Sequence, residues 1–381
     1  MDCFVKESYG VIWHFYHNSH GICYCKMTDE NISKYQVLLP EGQEDFDVIV
    51  DDSNCIHMVF QNKEGDIVYA NHFNEQWRKT TLLQSKSRAY YPKQFILKRV
   101  NNWLNLMYLI EYDGRKMLTH QIIDSEESSP YVIDCIRDNF CVAQDSSGNI
   151  VSLFFSESNK AWGIKTYVWS QKKWGNFEEI HQLKDCKNPF LFIDVEDKMH
   201  IVYERDFCIF EYFDKKEKMT GTGQRPIMVY QNDNIIMWEG ITDNKIFIRN
   251  STDNAPTVFM SGGFSKPSIY KLRYTTYETD LIADYCTGNI LNGSVKLYGI
   301  NGFFVVSHTT PVSVKAKPED EIDGSYIEIQ KLKIKISQMS NIIDKLQRKL
   351  EEYDSKKIDR RIKELETAVN KSDKPKLFSF F

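Results

Sequence analysis

The chain has 381 residues, 42% of them hydrophobic, and a formal net charge of −5. This length suits one large domain or two ordinary ones, and the lack of a basic surplus excludes a general affinity for nucleic acid. No stretch reaches the roughly 20 apolar residues of a membrane span, and no basic-then-apolar segment at the N-terminus suggests a signal peptide. The nine cysteines, an odd number, favour reduced thiols and a cytoplasmic protein.

A short motif recurs along the first three quarters of the chain. It consists of an acidic residue, a polar turn and an apolar run, with a characteristic residue six positions after the acid. Apolar alternation on both sides of a polar turn indicates two antiparallel strands, and Asp favours turns because its carboxylate accepts bonds from nearby backbone N–H groups. The pairs are Glu7 and Trp13, Asp51 and His57, Asp145 and Val151, and Asp194 and His200.

The motif marks units that repeat every 36 to 49 residues or so. Seven units fit, beginning near residues 3, 46, 92, 140, 189, 226 and 267, the last ending with Phe303–Ser307. Repeated four-stranded units without helical patterns between them predict an all-β propeller over residues 1–307, because radial repetition buries both faces of each sheet. Six or eight blades remain alternatives to seven.

The composition changes after this region. Residues 308–324 form a charged linker, and residues 325–370 predict a coiled-coil helix with a phase slip near 354–355. An apolar-tipped tail follows at 371–381. β-branched residues at the a positions favour a parallel dimer; a trimer, or a helix packed on its own propeller, is the alternative. The predicted seam is Ile329, Leu332, Ile336, Met339, Ile343, Leu346, Leu350 and Tyr353.

The Asp-turn-His units, and the Trp77 and Trp174 that precede the last strand of a unit, resemble bacterial β-propellers of the sialidase-like and lectin-like kind. The resemblance covers residues 1–307 and implies a disc with a central channel and ligands on one rim. The Asp-box Ser-x-Asp-x-Gly-x-x-Trp is absent, so no site residue is carried over from that group.

The candidate chemistry is sparse. Asp51 with His57, and Asp194 with His200, are interpreted as structural, because a repeated residue normally serves the repeat and buried polar groups find partners. No metal or cofactor is expected, since the Cys and His spacings do not match metal sites. Trp77 and Trp174 are the candidates for stacking on a ligand. The arginines needed by a sialidase are scattered in sequence, although a propeller gathers distant residues on one rim: Arg78, Arg99, Arg137, Arg205, Arg225 and Arg273.

The sequence therefore favours a non-enzymatic binding or scaffold protein. Its propeller head would recognise a partner protein or a glycan, and self-association through the coiled coil would make it multivalent. Two alternatives stay open, a glycan-processing enzyme and a structural assembly protein. Convergence of aromatic and carboxylate residues on one rim would indicate a glycan site, and a flat apolar face would indicate protein docking.

Overall fold

The structure is a computed structural model that describes residues 2–300, apart from short gaps. The chain divides into two compact units, Met1–Thr310 and Pro311–Phe381, and the described residues all belong to the first. The predicted linker, coiled coil and tail at 308–381, and the predicted last strand Phe303–Ser307, lie outside the described residues. No helix among the described residues is long and apolar enough to span a membrane. The gaps are residues 9, 29–31, 74–75, 87–90, 124–128, 233, 243–244, 251–256, 261–267, 276–280, 292–293 and 299.

The described fold is nearly all β, as predicted, and its strands follow one another in antiparallel units. Unit 1 contains β1 (Cys3–Lys6), β2 (Ile12–Asn18), β3 (Gly21–Met27) and β4 (Gln36–Leu39). Unit 2 contains β5 (Gly42–Val50), β6 (Ile56–Asn62), β7 (Ile67–Phe73) and β8 (Gln76–Leu83). Units 3 and 4 contain β9 (Ile96–Val100), β10 (Trp103–Tyr112), β11 (Arg115–Ile123), β12 (Tyr131–Gln144), β13 (Ile150–Ser156), β14 (Ala161–Val168), β15 (Lys173–Trp174) and β16 (Glu178–Glu179).

The later units have the same form, and two short 3-10 helices lie before unit 5, at Trp169–Gln171 and His181–Leu183. Unit 5 contains β17 (Lys187–Ile193), β18 (Met199–Arg205), β19 (Cys208–Phe213) and β20 (Lys216–Thr222). Unit 6 contains β21 (Ile227–Gln231), β22 (Asn234–Thr242), β23 (Lys245–Asn250) and β24 (Thr257–Met260). Unit 7 contains β25 (Ser268–Tyr274), β26 (Leu281–Ile282), β27 (Tyr285–Leu291) and β28 (Ser294–Leu297).

Units 3 and 4 share one long strand where the sequence predicts two. The first part of β12 pairs with β11, and the part from Phe140 onward pairs with β13. The register shifts between Ile136 and Phe140, where residues 137–139 are exposed. The chain thus passes from the outer edge of one unit to the inner edge of the next without a turn.

Strand pairing brings the ends of this region together. Strand β1 pairs in parallel with β25, so that Cys3 lies opposite Lys271 and Val5 lies opposite Arg273. Strand β26 of unit 7 pairs with β21 of unit 6. Unit 7 is therefore joined by backbone hydrogen bonds to the units on both of its sides, and the series of sheets closes on itself.

The core lies between successive units rather than inside any one of them. Val48, Met58 and Phe60 face a cluster shared with unit 1, whereas Ile49 and Val59 face a cluster shared with unit 3. Further clusters join units 3 and 4, units 4 and 5, and units 5 and 6, and one cluster joins units 6, 7 and 1. Because adjacent residues of a strand point to opposite faces, a sheet between two such clusters is buried on both of its faces. This is the packing of a β-propeller.

The turn between the first two strands has one geometry in units 1, 2, 4 and 5. In each, the residue three positions after the acid donates its backbone N–H back to the carbonyl of the acid and has a positive φ. Gly, Asn and Asp tolerate that conformation best, and these types occupy the position: Gly10, Asn54, Gly148 and Asp197.

Side chains on these turns also connect neighbouring units. Ser8 of unit 1 hydrogen-bonds Asn54 of unit 2, with N···Oδ1 2.9 Å. Ser146 of unit 4 bonds Asp197 of unit 5 at the equivalent turn positions, with N···Oδ1 2.8 Å. Side-chain bonds thus connect the turns of units 1 and 2 and those of units 4 and 5. These turns, at one end of the inner strands, are called the turn rim.

Candidate functional site

The inner strands enclose two cavities that share Leu191, Arg273 and Asp284 in their walls. The first, of about 600 Å³, is lined by the ends of inner strands and by Asp52 of the turn rim, and is called the turn-side cavity. The second, of about 530 Å³, is lined by the starts of inner strands, such as Gln94 and Ile269, and is called the opposite cavity. Both volumes lie in the range of small-molecule sites.

A buried ionic cluster ties the inner strands of units 2 and 7 together. The carboxylate of Asp47, in β5, is completely buried. It accepts bonds from Nη2 of Arg273 at 3.1 and 3.2 Å, and Nζ of Lys271 lies 3.2 Å from its Oδ1. Lys271 also donates to the carbonyls of Phe46 and Phe95, at 3.1 and 3.2 Å. Asp47 thus meets Lys271 and Arg273 although more than 220 positions of the sequence separate it from them.

The burial of Asp47 would by itself raise the pKa of its carboxyl group, because a charge is disfavoured away from water. Arg273 and Lys271 outweigh this effect and hold the pKa below its usual range. The backbone N–H groups of Val48 and Leu97 donate to the same carboxylate, at 3.0 and 2.8 Å. Asp47 is therefore a fixed anion within the protein.

Ion pairs continue along the wall of the turn-side cavity. Asp284 lies 2.5 Å from Nζ of Lys98 and 3.6 Å from Nη1 of Arg273. Burial would raise the pKa of Asp284, but Lys98 and Arg273 more than compensate and lower it. Arg99 pairs with Asp52 at 2.8 Å. The wall of the turn-side cavity thus contains a set of paired charges among its apolar residues.

The opposite cavity has a more apolar wall. Trp162, Phe190 and Tyr285 line it, together with Arg225 and the carboxamide of Gln94. Burial raises the pKa of the Tyr285 phenol, and it also raises that of the Cys141 thiol, to about 12. Neither group supplies a base or nucleophile near neutral pH, because the reactive forms are the deprotonated ones.

The repeated Asp residues lie in the turns and the His residues at the start of the next strand, and the acid has two roles. In unit 2, Oδ1 of Asp51 accepts the backbone N–H groups of Ser53 and Cys55, both at 2.8 Å, while Oδ2 contacts Nε2 of His57 at 3.4 Å. The other ring nitrogen of His57 lies 2.7 Å from the Tyr69 hydroxyl.

Unit 5 repeats this arrangement. Oδ1 of Asp194 accepts N–H groups of Glu196 and Lys198, both at 2.9 Å, and Oδ2 lies 3.1 Å from Nε2 of His200. His200 is buried, and its Nδ1 lies 3.0 Å from Glu211. Unit 1 has the related pair, since Nε1 of Trp13 donates to Glu7 at 2.6 Å.

Asp51, Cys55 and His57 bring three potential metal-ligand atoms within 4.8 Å of one another. However, Asp51 and His57 already use these groups in hydrogen bonds to the turn, to each other and to Tyr69. Unit 5 makes the same Asp–His bond with Lys198, a residue that does not suit metal binding, in the position of Cys55. The arrangement is therefore explained by the repeat without a metal.

The two tryptophans singled out in the sequence lie away from the cavities described above. Trp174 is 7% exposed within the cluster between units 3 and 4, and its indole N–H donates to Nδ1 of His120 at 3.2 Å. This placement favours a core role. Trp77 is half-buried and lies edge-on to Phe15, with ring centroids 6.4 Å apart. Its role in ligand contact stays a prediction.

Sequence reasoning missed most of the charged residues that line these cavities or lie behind their walls. The propeller gathers Arg99 and Arg273 at one cavity, and Arg225 joins Arg273 at the other. The residues not singled out are Asp47, Asp52, Lys98, Lys271 and Asp284. One available signal was the alternation of Lys271 and Arg273 with apolar residues in a predicted inner strand.

Comparisons with known proteins agree on the fold. No protein-family model matches the chain, and no curated protein matches it. The chain is similar to a solved polysaccharide lyase, the ulvan lyase PL25 in complex with a GlcA–Rha3S ligand; the TM-score is 0.50, with 10% identity over 78% of this chain and 90% of that one.

Two further solved structures are also similar. For AofleA from Arthrobotrys oligospora, the TM-score is 0.43, with 11% identity over 68% of this chain and 88% of that one. For the Aleuria aurantia lectin, a six-bladed β-propeller, it is 0.43, with 7% identity over 68% of this chain and 93% of that one. At these identities the similarity concerns the fold alone.

The charge of Asp47 is open to a direct test. Asp47→Asn keeps the shape but leaves Lys271 and Arg273 buried without their shared anion, so we expect the free energy of unfolding to fall by about 3–5 kcal/mol. Urea denaturation followed by tryptophan fluorescence measures this change. Glu157→Gln is the control, because it breaks an exposed pair with Arg137 and should cost about 1 kcal/mol or less. Equal effects of the two variants would contradict the structural role of the cluster.

His200 should make stability depend on pH. Burial lowers the pKa of His200, but Glu211 and Asp194 outweigh it and raise the pKa above its ordinary value. The resulting stability is fully present below the unfolded-state pKa, about 6.5, and is lost as pH rises through the folded-state pKa. The difference in the free energy of unfolding between wild type and His200→Asn, measured by urea denaturation, should therefore be larger at about pH 6 than at about pH 9.

Glu211→Gln provides the matching control, because it removes one of the two carboxylates while leaving the imidazole in place. The pH dependence of stability should be smaller in Glu211→Gln than in wild type. A difference between wild type and His200→Asn that does not change with pH would show that His200 is not charged in the folded protein.

Proposed function

We propose that this chain is a non-enzymatic binding protein, in which a seven-bladed propeller head recognises its ligand at the turn-side cavity. The observation that carries the proposal is the wall of paired charges formed by Lys98, Asp284 and Arg273. Such a wall offers hydrogen-bond donors and acceptors in fixed positions, which is what orients a polar ligand. In this proposal residues 303–307 complete the seventh blade.

The electrostatics favour binding over catalysis. General acid–base catalysis needs a group whose pKa lies near the working pH, and a glycosidase needs one carboxyl group with a raised pKa. Among the described residues of the cavity walls, the pKa of Asp284 is shifted down and that of Tyr285 is shifted up. Both shifts move these groups away from proton transfer at neutral pH.

A glycan suits the turn-side cavity better than a protein surface does. The cavity is concave and combines charged side chains with many apolar ones, such as Leu272 and Ile282. The large exposed apolar side chains of the described residues are spread over units 1, 2, 3 and 5, among them Tyr35, Phe73, Tyr112 and Phe207. Solved structures similar to this chain include a lyase and a lectin, so a glycan-processing enzyme is the second candidate.

Glycan binding is tested with the full-length protein on an immobilised glycan array, followed by chromatography of each bound glycan after incubation. We expect retention of a glycan with unchanged chain length. Gln144→Trp should abolish binding by filling the turn-side cavity, which Gln144 lines. Gln76→Trp, an exposed site at the start of β8, should leave binding intact. Shortened glycan would indicate the enzyme, and capture of protein alone would indicate a docking disc.

We further propose that residues 325–370 form a parallel coiled-coil dimer that carries two heads on one stalk. Pairing heads raises avidity because the second contact becomes intramolecular. The nine cysteines are all free thiols, which supports a location in the reducing cytoplasm.

The stalk is tested by light scattering of the full-length protein at micromolar concentration. Wild type should have the mass of a dimer, and Ile343→Asp should be a monomer, because it places a charge at an a position of the seam. Asn341→Asp adds the same charge at a position facing away from the seam and should remain dimeric. A monomeric wild type would contradict the two-headed arrangement.

A further inference from the structure

We infer that the ligand of the turn-side cavity is an acidic saccharide, a sugar that carries a carboxylate or sulfate group. This inference rests on the proposed binding function and specifies its ligand. It stands on three features of the cavity: an excess of positive charge, an arginine with an unpartnered donor, and carboxylates placed to accept hydroxyl groups.

The first feature is the balance of charge. The cluster around the turn-side cavity contains four cations, Lys98, Arg99, Lys271 and Arg273, but only three carboxylates, Asp47, Asp52 and Asp284. The cluster therefore has one excess positive charge, although the chain as a whole has a formal net charge of −5. Buried charge is normally compensated, and an anion in the cavity would complete the compensation.

The second feature is the guanidinium of Arg273, which is 6% exposed and lines the cavity. Its Nη2 is occupied by Asp47, and its Nη1 donates to the carbonyls of Leu272 and Asp284, both at 2.8 Å. Its Nε is buried and makes no hydrogen bond within the described residues. A buried donor without an acceptor is costly, so part of the charge of Arg273 is left uncompensated beside the cavity, which favours an anionic ligand there.

The third feature separates a sugar from a simple anion. Asp52 and Asp284 are partly exposed, with 35% and 32% of their side chains accessible. An ionised carboxylate only accepts hydrogen bonds, so these groups suit hydroxyl donors and would repel a bare anion placed against them. Apolar side chains such as Leu272 and Ile282 add a surface for the C–H groups of a ring. The combination matches a ring with several hydroxyls and one negative group.

The experiment is isothermal titration calorimetry of the full-length protein with a short oligogalacturonate. The same oligomer with its carboxyl groups methyl-esterified is the matched neutral ligand. The acidic form should bind at least about tenfold tighter, because it adds a charge-assisted bond, and added salt should weaken its binding. Inorganic sulfate tests whether an anion suffices without a sugar.

Arg99→Gln removes one cation of the cavity without disturbing the buried Asp47 cluster, and we expect it to weaken binding of the acidic oligomer on the order of tenfold. Arg205→Gln is the control, because Arg205 has a similar exposure, 25% against 22%, and also pairs with a carboxylate, Glu217, far from the cavity lining. Its affinity should equal that of wild type.

The outcomes distinguish this inference from the proposed function. Equal affinity for the acidic and esterified oligomers would overturn the acidic ligand while leaving glycan binding in place. Sulfate that binds as tightly as the oligomer would overturn the saccharide part. An array that retains only neutral glycans would overturn the inference alone, whereas an array that retains none would remove the proposed function with it.

Discussion

The relative placement of the inner strands around the two cavities depends on one buried anion, the carboxylate of Asp47. It accepts bonds from the inner strand of unit 7 through Arg273 and from the inner strand of unit 3 through the N–H of Leu97. A buried ion pair is weak evidence for stability, because desolvation offsets most of the attraction. Its value here is positional. Three inner strands that are distant in sequence must adopt one relative placement, or several charges lose their partners at once.

In the turn rim, too, acidic side chains fix the relative placement of strands. The three aspartates of the repeat bind turn backbone with one oxygen. In units 2 and 5 the other oxygen binds a histidine nitrogen, as in Asp194 with His200. The aromatic residue sits at the start of the next strand, so the bond sets the angle at which that strand leaves the turn. Lateral bonds such as Ser146 to Asp197 then couple one turn to the next. Local turn chemistry and the order of the units are in this way mutually consistent.

The architecture was predictable because a sheet that is buried on both faces needs apolar residues at successive positions of its strands. Runs such as Phe46–Val50 and Ile56–Phe60 are almost continuously apolar, as expected of sheets packed on both sides, and polar turns separate them. The predicted starts of the units therefore agree with the inner strands found. The continuity of β12 was not predictable, since Arg137–Asn139 is polar and reads as a turn. The buried ionic cluster was not predictable either, because no local pattern reports that Asp47 meets Arg273.

The residues of the buried ionic cluster differ from those at the equivalent positions of the other units. Asp47 lies four positions before the acid of its turn, where units 1, 4 and 5 have Cys3, Cys141 and Phe190. Likewise β25 alternates Lys271 and Arg273 with the core residues Tyr270 and Leu272. A position that serves only the scaffold would keep the apolar residue that the other units use. Charges placed at such positions violate the local rule, and such violations are expected where a protein has a function to perform. Residues that the units share therefore build the scaffold, and residues that differ between units form the candidate site.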